Sequence, residues 1–357
     1  MNHITIVAGA RPNFMKIAPI IHALKNTNIS YNLVHTGQHY DKKMSNDFFN
    51  QLDIPQPTIN LQVGSGTQAE QTAAIMIGFE KFLIDNPTDL VLVVGDVTST
   101  MACAIVAKKL GILVAHVEAG IRSYDNTMPE EINRIVTDSI TDYFFTTSDI
   151  ANDILKGTGV NTENIFFVGN TMIDTLLTNQ HKFQKPDIWN TLNLIKSEYI
   201  VVTLHRPSNV DDPGQLETVL AEIVNNSRGL PIIFPVHPRT FKVIDTLDLS
   251  YSNLHMIEPM NYLEFNYLVK HSKLVITDSG GITEETTIMD IPCMTLRDNT
   301  ERPETIIYGT NELVGTNTIF IKPYMDKLFN GLWKTGKNPP LWDGQTAKRI
   351  IEIIKNL

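Results

Sequence analysis

Residues 273–304 read KLVITDSGGITEETTIMDIPCMTLRDNTERPE, and this stretch narrows the choice of fold more than any other in the chain. Residues 274–277 form a short apolar, β-branched run of the kind a buried strand needs. Asp278, Ser279, Gly280 and Gly281 break the run, residues 282–289 have helical composition, and after Pro292 a second apolar run covers residues 293–296. Strand, Ser-Gly-Gly turn, helix and strand make half a unit of a parallel α/β sheet. The turn falls at a strand's carboxyl end, where open sheets of this class bind ligands. Two glycines at a helix start let backbone N–H groups come close to an anion, with the helix dipole in support. Glu284 and Glu285 follow in the first turn or so, where one carboxylate is placed to accept hydrogen bonds from a sugar diol. Arg302 adds a positive charge after a further loop. The same residues also fit a plain tight turn with acids that compensate the dipole.

The rest of the chain repeats the theme. A strand at 4–7, a loop at 8–12 and a helix at 13–25 lead to a strand at 32–35 and a polar loop through Gln38, His39, Tyr40 and Asp41. A helix at 68–84 precedes the run 89–94, which suits a central parallel strand and ends in Gly95-Asp96. A helix at 98–110 and a strand at 112–117 then reach Glu118, Ala119 and Gly120. A polar loop at 122–128, a helix starting at Pro129, a strand at 143–146 and a helix at 149–156 complete the first half. Around residues 179–197 the pattern lapses into a polar stretch with Pro186, read as an inter-domain linker. Strands at 199–204, 231–236 and 254–257 alternate with helices at 212–225, 239–247 and 262–270 before the Ser-Gly-Gly unit, and an amphipathic helix at 345–354 closes the chain.

The alternation predicts an α/β fold of two doubly wound Rossmann-like domains facing a central cleft. Residues 1–175 form the expected N-terminal domain, with 345–357 packing back on it, and residues 190–340 the C-terminal nucleotide-binding domain. A length of 357 residues suits two cores. With 42% hydrophobic and 19% charged residues the chain reads as a globular protein of ordinary composition. The net charge of −10 argues against nucleic-acid or membrane-surface partners but allows a local basic pocket for phosphate. Cys103 and Cys293 both sit in apolar contexts and read as buried thiols of a reducing compartment. Arg11 and Pro12 interrupt the first apolar run, so no signal peptide is expected, and no segment has the apolar length of a membrane span. These readings place the protein in the cytoplasm.

Nearly every unexpected polar residue falls at a strand's carboxyl end or the helix start after it: Arg11, Lys16, His39, Asp96, Glu118, Glu130, His205, His237, Ser279, Glu285. Arg11 and Lys16 lie near one helix N-terminus, where two cations oppose the dipole and a bound anion reconciles them. The first domain thus offers Asp96, Glu118 and Glu130 beside two cations. The second offers His205, the glycine turn, Glu285 and Arg302. This division points to a nucleotide held mainly by the second domain and acid–base chemistry by carboxylates of the first. Each residue also has a plainer account: Asp96 as a helix cap, Glu130 and Glu131 as first-turn acids, His205 as a core histidine. No spacing of histidines and acids resembles a metal motif, and no cofactor is expected.

At this point a family resemblance emerges. Gly9-Ala-Arg-Pro with Lys16, Gly95-Asp96, His116-Val-Glu-Ala-Gly-Ile-Arg122, Pro129-Glu-Glu-Ile-Asn-Arg134 and Val168-Gly-Asn-Thr-Met-Ile-Asp174 stand in the first half. Thr203-Leu-His-Arg206, Thr277-Asp-Ser-Gly-Gly-Ile-Thr-Glu-Glu285 and Arg297-Asp-Asn-Thr-Glu-Arg-Pro303 stand in the second. In order and spacing, from about residue 4 to about residue 315, this set resembles the non-hydrolysing UDP-N-acetylglucosamine 2-epimerases. The resemblance implies a glycosyltransferase-B arrangement, a homodimer, a UDP-sugar substrate, and no metal or nicotinamide. It implies Arg11 and Lys16 as anionic-ligand contacts, Asp96, Glu118 and Glu130 as catalytic acids, and His205 as the histidine near the diphosphate. It further implies Ser279, Gly280 and Gly281 as the phosphate turn, Glu285 as the ribose contact, Arg302 as a further ligand contact, and Met260 and Phe265 flanking the uracil. The reaction implied is epimerisation at C2, UDP-GlcNAc to UDP-ManNAc, by elimination and re-addition of UDP through a glycal, for cell-surface polysaccharide precursors.

Several positions depart from the pattern. Gln38-His39-Tyr40-Asp41 lacks the basic residue that many bacterial members carry in a regulatory substrate site, which puts activation by substrate in doubt. The loop at 122–128 is shorter than in some members, and Arg206-Pro207-Ser208-Asn209 replaces a more charged run. Both changes fit a modified sugar such as a 2,3-diacetamido uronic acid. Rival readings are a hydrolysing 2-epimerase, a glycosyltransferase of the same architecture, and a non-catalytic nucleotide-sugar sensor.

Overall fold

The computed structural model describes residues 1–38, 49, 51–236, 238–247 and 249–357, and at residues 11, 238 and 239 the backbone alone. The chain divides into two compact units, one joining Met1–Thr178 to Pro340–Leu357 and the other formed by Asn179–Pro339. Each is built on one parallel sheet with helices between its strands.

The first unit carries β1 (His3–Ala8), β2 (Ser30–His35), β3 (Ile59–Asn60), β4 (Leu90–Val94), β5 (Leu113–Val117), β6 (Tyr143–Thr146) and β7 (Ile165–Phe167) in the order β3-β2-β1-β4-β5-β6-β7. Every residue of β4 is buried, as a central strand covered on both faces requires. The helix after it, Thr98–Lys109, is rich in Ala, Ser and Thr and buried over most of its length. Small residues let the neighbouring helices Gln68–Asp85 and Pro129–Ile140 lie close on its two sides. The C-terminal segment belongs to this unit. Trp342, 1% exposed, donates from Nε1 to the Thr147 carbonyl at 3.0 Å. The Asp174 carboxylate accepts from the N–H groups of Thr346 (3.1 Å) and Ala347 (2.7 Å), capping the helix Thr346–Asn356, which packs on Arg11–Leu24.

The second unit carries β8 (Ile200–Thr203), β9 (Ile232–Pro235), β10 (Leu254–Ile257), β11 (Leu274–Thr277), β12 (Cys293–Thr295) and β13 (Asn311–Leu313) in the order β10-β9-β8-β11-β12-β13. Its core joins Val202, Leu220, Phe234, Ile276 and Met294 on one side of the sheet and Val201, Ile233, Leu268 and Val275 on the other. Apart from the extra edge strand β7, the two sheets share one strand order. In both, the chain starts in the middle, runs to one edge, and returns to build the other. The order reverses between β1 and β4 in the first sheet and between β8 and β11 in the second.

The expected strands and helices are present within one to three residues of their bounds at most places, and the differences have simple causes. The helix expected at 282 starts at Gly280, so both glycines lie in its first turn instead of before it. The helix expected at 13 starts at Arg11, because Pro12 fits the first turn. Edge strands β3, β7 and β13 and the helices Thr171–Asn179, Pro303–Ile307 and Ile321–Phe329 were not anticipated, the strands being only two or three residues long. The polar stretch read as a linker folds. Its helix Asp187–Thr191 sets Trp189 edge-on to Tyr199 at 5.6 Å, and Leu194 is 5% exposed. Three or four apolar residues in a polar stretch are enough to anchor it. Cys103 and Cys293 are both buried and free. Among the described residues no helix is long and apolar enough to cross a membrane.

Candidate active site

The two places where strand order reverses are where a doubly wound sheet opens a crevice at its strands' carboxyl ends. In the first unit that end is built by the segments after β1, β4 and β5. Asn13, 1% exposed, draws two of them together. Its Oδ1 accepts from the N–H groups of Gly9 and Ala10, both at 3.0 Å, and its Nδ2 donates to the Val94 carbonyl at 3.2 Å. Gly9 has no room for a side chain, since a Cβ there would lie 2.2 Å from Ser99 Oγ. One turn into the helix Arg11–Leu24, Lys16 turns its ammonium to Glu118 Oε2 at 2.6 Å. Glu118 is 4% exposed and takes φ = 72°, a left-handed conformation unusual for a side chain of this size. Gly95 makes space for the pair: at φ = 66°, a Cβ on it would stand 2.8 Å from Lys16 Nζ.

Asp96, next to Gly95, is half-buried and faces the helix Pro129–Ile140. Its Oδ2 accepts from Arg134 Nε at 3.0 Å and Nη2 at 2.5 Å, and its carbonyl accepts from Asn133 Nδ2 at 2.8 Å. Arg134 also pairs with Glu131 Oε2 at 2.7 Å. Glu131 is 1% exposed and accepts from the N–H groups of Ser123 and Tyr124 at 2.9 and 3.0 Å. Burial pushes its carboxyl up, and these N–H groups with Arg134 outweigh that, holding it below the usual range. Glu131 therefore fixes the loop at 122–128. Its neighbour Glu130 is half-buried and makes no side-chain hydrogen bond or ion pair among the described residues. Adjacent residues on a helix point about 100° apart, which separates the two acids by role.

Behind these strand ends lies a histidine that was not singled out in the sequence. His116, fully buried on β5, contacts the Gly95 carbonyl through Nε2 and Asp138 Oδ1 through Nδ1, both at 2.8 Å. Asp138 accepts as well from Arg122 Nη1 at 2.6 Å and Gly120 N–H at 3.1 Å. Burial raises the Asp138 carboxyl, but His116 and Arg122 together keep it below its ordinary value. The spacing His116-Val-Glu118 was the available signal, because alternate residues of a strand's end share a side.

In the second unit, Asp278 directly follows β11 and His205 lies two residues past β8. Asp278 is fully buried, and His205 Nδ1 stands 2.6 Å from its Oδ1 with the imidazole side chain 55% exposed. The Ser-Gly-Gly turn opens the helix Gly280–Met289 with Ser279 as its N-cap. The first N–H groups of a helix lack intrahelical acceptors, so Gly280 and Gly281 present theirs outward. Within that helix the paired acids divide. Glu284, 1% exposed, is bound to Arg302 Nε at 2.6 Å, whereas Glu285, 4% exposed, lies among Tyr262 and Asn266. Burial pushes the Glu285 carboxyl up to about 7, against the opposing pull of Tyr262 and Asn266. Its Oε1 has no hydrogen-bond partner at ordinary distance among the described residues. A buried carboxylate oxygen of that kind suits the hydroxyls of a diol. Met260 and Phe265 are half-buried and pack against the core beside the same helix Tyr262–His271.

Some expected contacts take other forms. Arg302 is 6% exposed, and its Nε is bound to Glu284 Oε1 at 2.6 Å, which ties the loop before Pro303 to the helix Gly280–Met289. Asn209, thought to reflect the sugar, is fully buried and donates to Asp278 Oδ2 and the Leu296 carbonyl, both at 3.0 Å. Arg206 donates from Nε to the Asp278 carbonyl at 3.1 Å. The short polar run after His205 thus braces the strand end. His39, Tyr40, Asp41 and His237 lie outside the described residues, as does the side chain of Arg11.

Comparison with known proteins gives the site its context. The family described as UDP-N-acetylglucosamine 2-epimerase matches residues 22–355. The chain is 42% identical over 364 residues to the UDP-N-acetylglucosamine 2-epimerase of Methanocaldococcus jannaschii, covering 98% of each. It is 38% identical over 365 residues to the UDP-2,3-diacetamido-2,3-dideoxy-D-glucuronate 2-epimerase of Pseudomonas aeruginosa, covering 100% of each. Among solved structures, the M. jannaschii UDP-GlcNAc 2-epimerase in complex with UDP-GlcNAc and UDP matches with a TM-score of 0.89 and 41% identity, over 99% of this chain and 100% of that one.

Proposed function

The chain belongs to the UDP-N-acetylglucosamine 2-epimerase family, a family of isomerases, and from that premise we propose that it inverts C2 of a UDP-N-acetylhexosamine without hydrolysing it. The reaction is UDP-GlcNAc to UDP-ManNAc, run in the cytoplasm by a homodimer to supply a precursor of cell-surface polysaccharide. The observation that carries this reading is a pair of carboxylates at adjacent strand ends, each held by its own cation: Asp96 by Arg134 and Glu118 by Lys16. Two such groups at neighbouring strand ends provide one to take a proton from C2 and one to return it, which is what exchange of a proton at two faces of one carbon demands.

In the first half of the reaction the C1–O bond breaks and its electron pair leaves with the diphosphate. A carboxylate takes the C2 proton, and the electrons of that C–H bond form the C1–C2 double bond of a glycal. In the second half an acid returns a proton to the opposite face of C2 while a diphosphate oxygen re-forms the bond to C1. No carbonyl acidifies the C2–H, so stabilising the departing diphosphate provides most of the drive. That task falls to Arg11, Lys16 and His205 and to the phosphate turn, through the Ser279 hydroxyl and the N–H groups of Gly280 and Gly281. Glu285 takes the ribose hydroxyls, Met260 and Phe265 flank the uracil, and Arg302 adds a further ligand contact. Asp96, Glu118 and Glu130 share the proton transfers. Residues 1–175 supply these acids and 190–340 the nucleotide site.

A second sugar is supported by one specific comparison. A relative 38% identical over its full length acts on a UDP-2,3-diacetamido glucuronate, by its name. Incubation with UDP-GlcNAc in deuterated water, followed by proton NMR, tests both. Epimerised UDP-sugar with deuterium at C2 is the expected result. Unchanged, undeuterated UDP-GlcNAc together with exchange into the diacetamido uronate would move the assignment to the second sugar. Free UDP with N-acetylmannosamine would overturn the non-hydrolysing reading.

A further inference from the structure

Asp278 is fully buried, and the donors around its carboxylate come from the segment after β8. The His205 N–H reaches Oδ1 and Oδ2 at 3.2 and 3.0 Å, the Arg206 N–H reaches Oδ2 at 2.9 Å, and Asn209 Nδ2 reaches Oδ2 at 3.0 Å. The fifth contact is His205 Nδ1 at 2.6 Å. Because β8 and β11 are the neighbours between which strand order reverses, the carboxylate ties the two sides of that crevice. Burial raises the Asp278 carboxyl, but His205, Arg206 and Asn209 together hold it below its ordinary value, so it is ionised. An ionised carboxylate only accepts hydrogen bonds. The Nδ1 of His205 therefore carries a hydrogen, which leaves Nε2 as the ring nitrogen that faces a ligand, and an Nε2–H donates to an anion.

Backbone N–H groups and Asn209 would suffice to tie the strand ends together. The contact to Nδ1 does something else: it holds a hydrogen on Nδ1 and fixes the ring plane of a side chain that is otherwise 55% exposed. We infer that Asp278 is a positioning residue of the reaction, acting through His205 so that Nε2 meets the diphosphate. The inference rests on the role given to His205 above. The preceding residues explain why the sequence did not reveal it. In TDSGG the aspartate reads as the residue that breaks the strand, and its partner lies 73 positions earlier.

A double-mutant cycle tests the inference, with kcat and UDP affinity measured for Asp278→Asn, His205→Ala and the pair. Asp278→Asn alone should lower kcat about 100-fold while UDP Kd moves less than about threefold. In the His205→Ala background the same substitution should lower kcat less than about threefold, because the group it acts through is gone. An equal loss in both backgrounds would mean that Asp278 is a structural tie and would overturn the inference. A His205→Ala enzyme of undiminished kcat would instead remove His205 from the reaction, and the inference with it. Should Asp278→Asn fail to fold, long-range nitrogen–proton NMR of wild-type His205 decides on its own. A hydrogen on Nδ1 is expected, joined by one on Nε2 when UDP is bound, and a ring protonated at Nε2 alone would overturn the inference.

Discussion

The two sheets share one strand order, yet the ends they offer at the point of reversal differ in kind. In the first, opposite charges meet in pairs: Lys16 with Glu118, Arg134 with Asp96 and Glu131, Arg122 with Asp138. In the second, Asp278 is satisfied mostly by neutral N–H groups, and a glycine turn leaves helix N–H groups outward. Topology thus provides the location and side chains decide the chemistry. Coupled carboxylates suit proton transfer, whereas a braced histidine and oriented N–H groups suit holding and stabilising an anion.

If that division is real, Glu118→Gln should lower kcat by about 1,000-fold and leave UDP affinity within about threefold, since it removes a proton-transfer group and no nucleotide contact. Stability should respond to pH through the second sheet. Glu285 goes from an ordinary 4.5 up to about 7 on burial, so it holds its proton more tightly in the folded chain. Its contribution is complete at pH values below the unfolded value and is lost as pH rises through about 7, a change of about 3 kcal/mol across that window. Denaturant titrations at intervals of pH should show this fall, and Glu285→Gln should flatten it.

A smaller effect separates the first sheet from its glycine. Gly95→Ala places a Cβ 2.8 Å from Lys16 Nζ at φ = 66°. Strain and the displaced ion pair should together cost about 2 kcal/mol, read as a shift in denaturation midpoint, with kcat reduced more than UDP affinity. Smallest is the loss of ligand contact in the second sheet. Glu285→Gln should weaken UDP about tenfold by calorimetry, with kcat at saturation within about threefold of wild type. A large loss of kcat there would blur the comparison.

Much of the fold was legible because strands of buried parallel sheets are short apolar runs that end in loops, and such runs are visible one at a time. The same reading brought Asp96, Glu118 and Lys16 to neighbouring strand ends, since position after a strand is a local property. What was not legible was the choice between adjacent acids. Glu130 and Glu131, or Glu284 and Glu285, look alike in sequence, and their roles depend on distant partners: Ser123 and Arg134 for Glu131, Arg302 for Glu284. Asp278 and His116 were missed for a related reason. Each lies beside a residue that drew attention, and each acts through a contact that only the assembled sheet creates. The stretch around Trp189 shows the opposite error, where composition alone suggested a linker and packing on Tyr199 made it structure.

The most direct test of the division of labour is UDP affinity measured on a Glu118→Gln protein that has lost deuterium exchange at C2. The account predicts a Kd within about threefold of wild type, because the nucleotide is held mainly by the second sheet's glycine turn and Glu285. A Kd weakened in step with the lost exchange would contradict it, and would mean that Glu118, through its partner Lys16, governs nucleotide binding as well as reacting with the sugar.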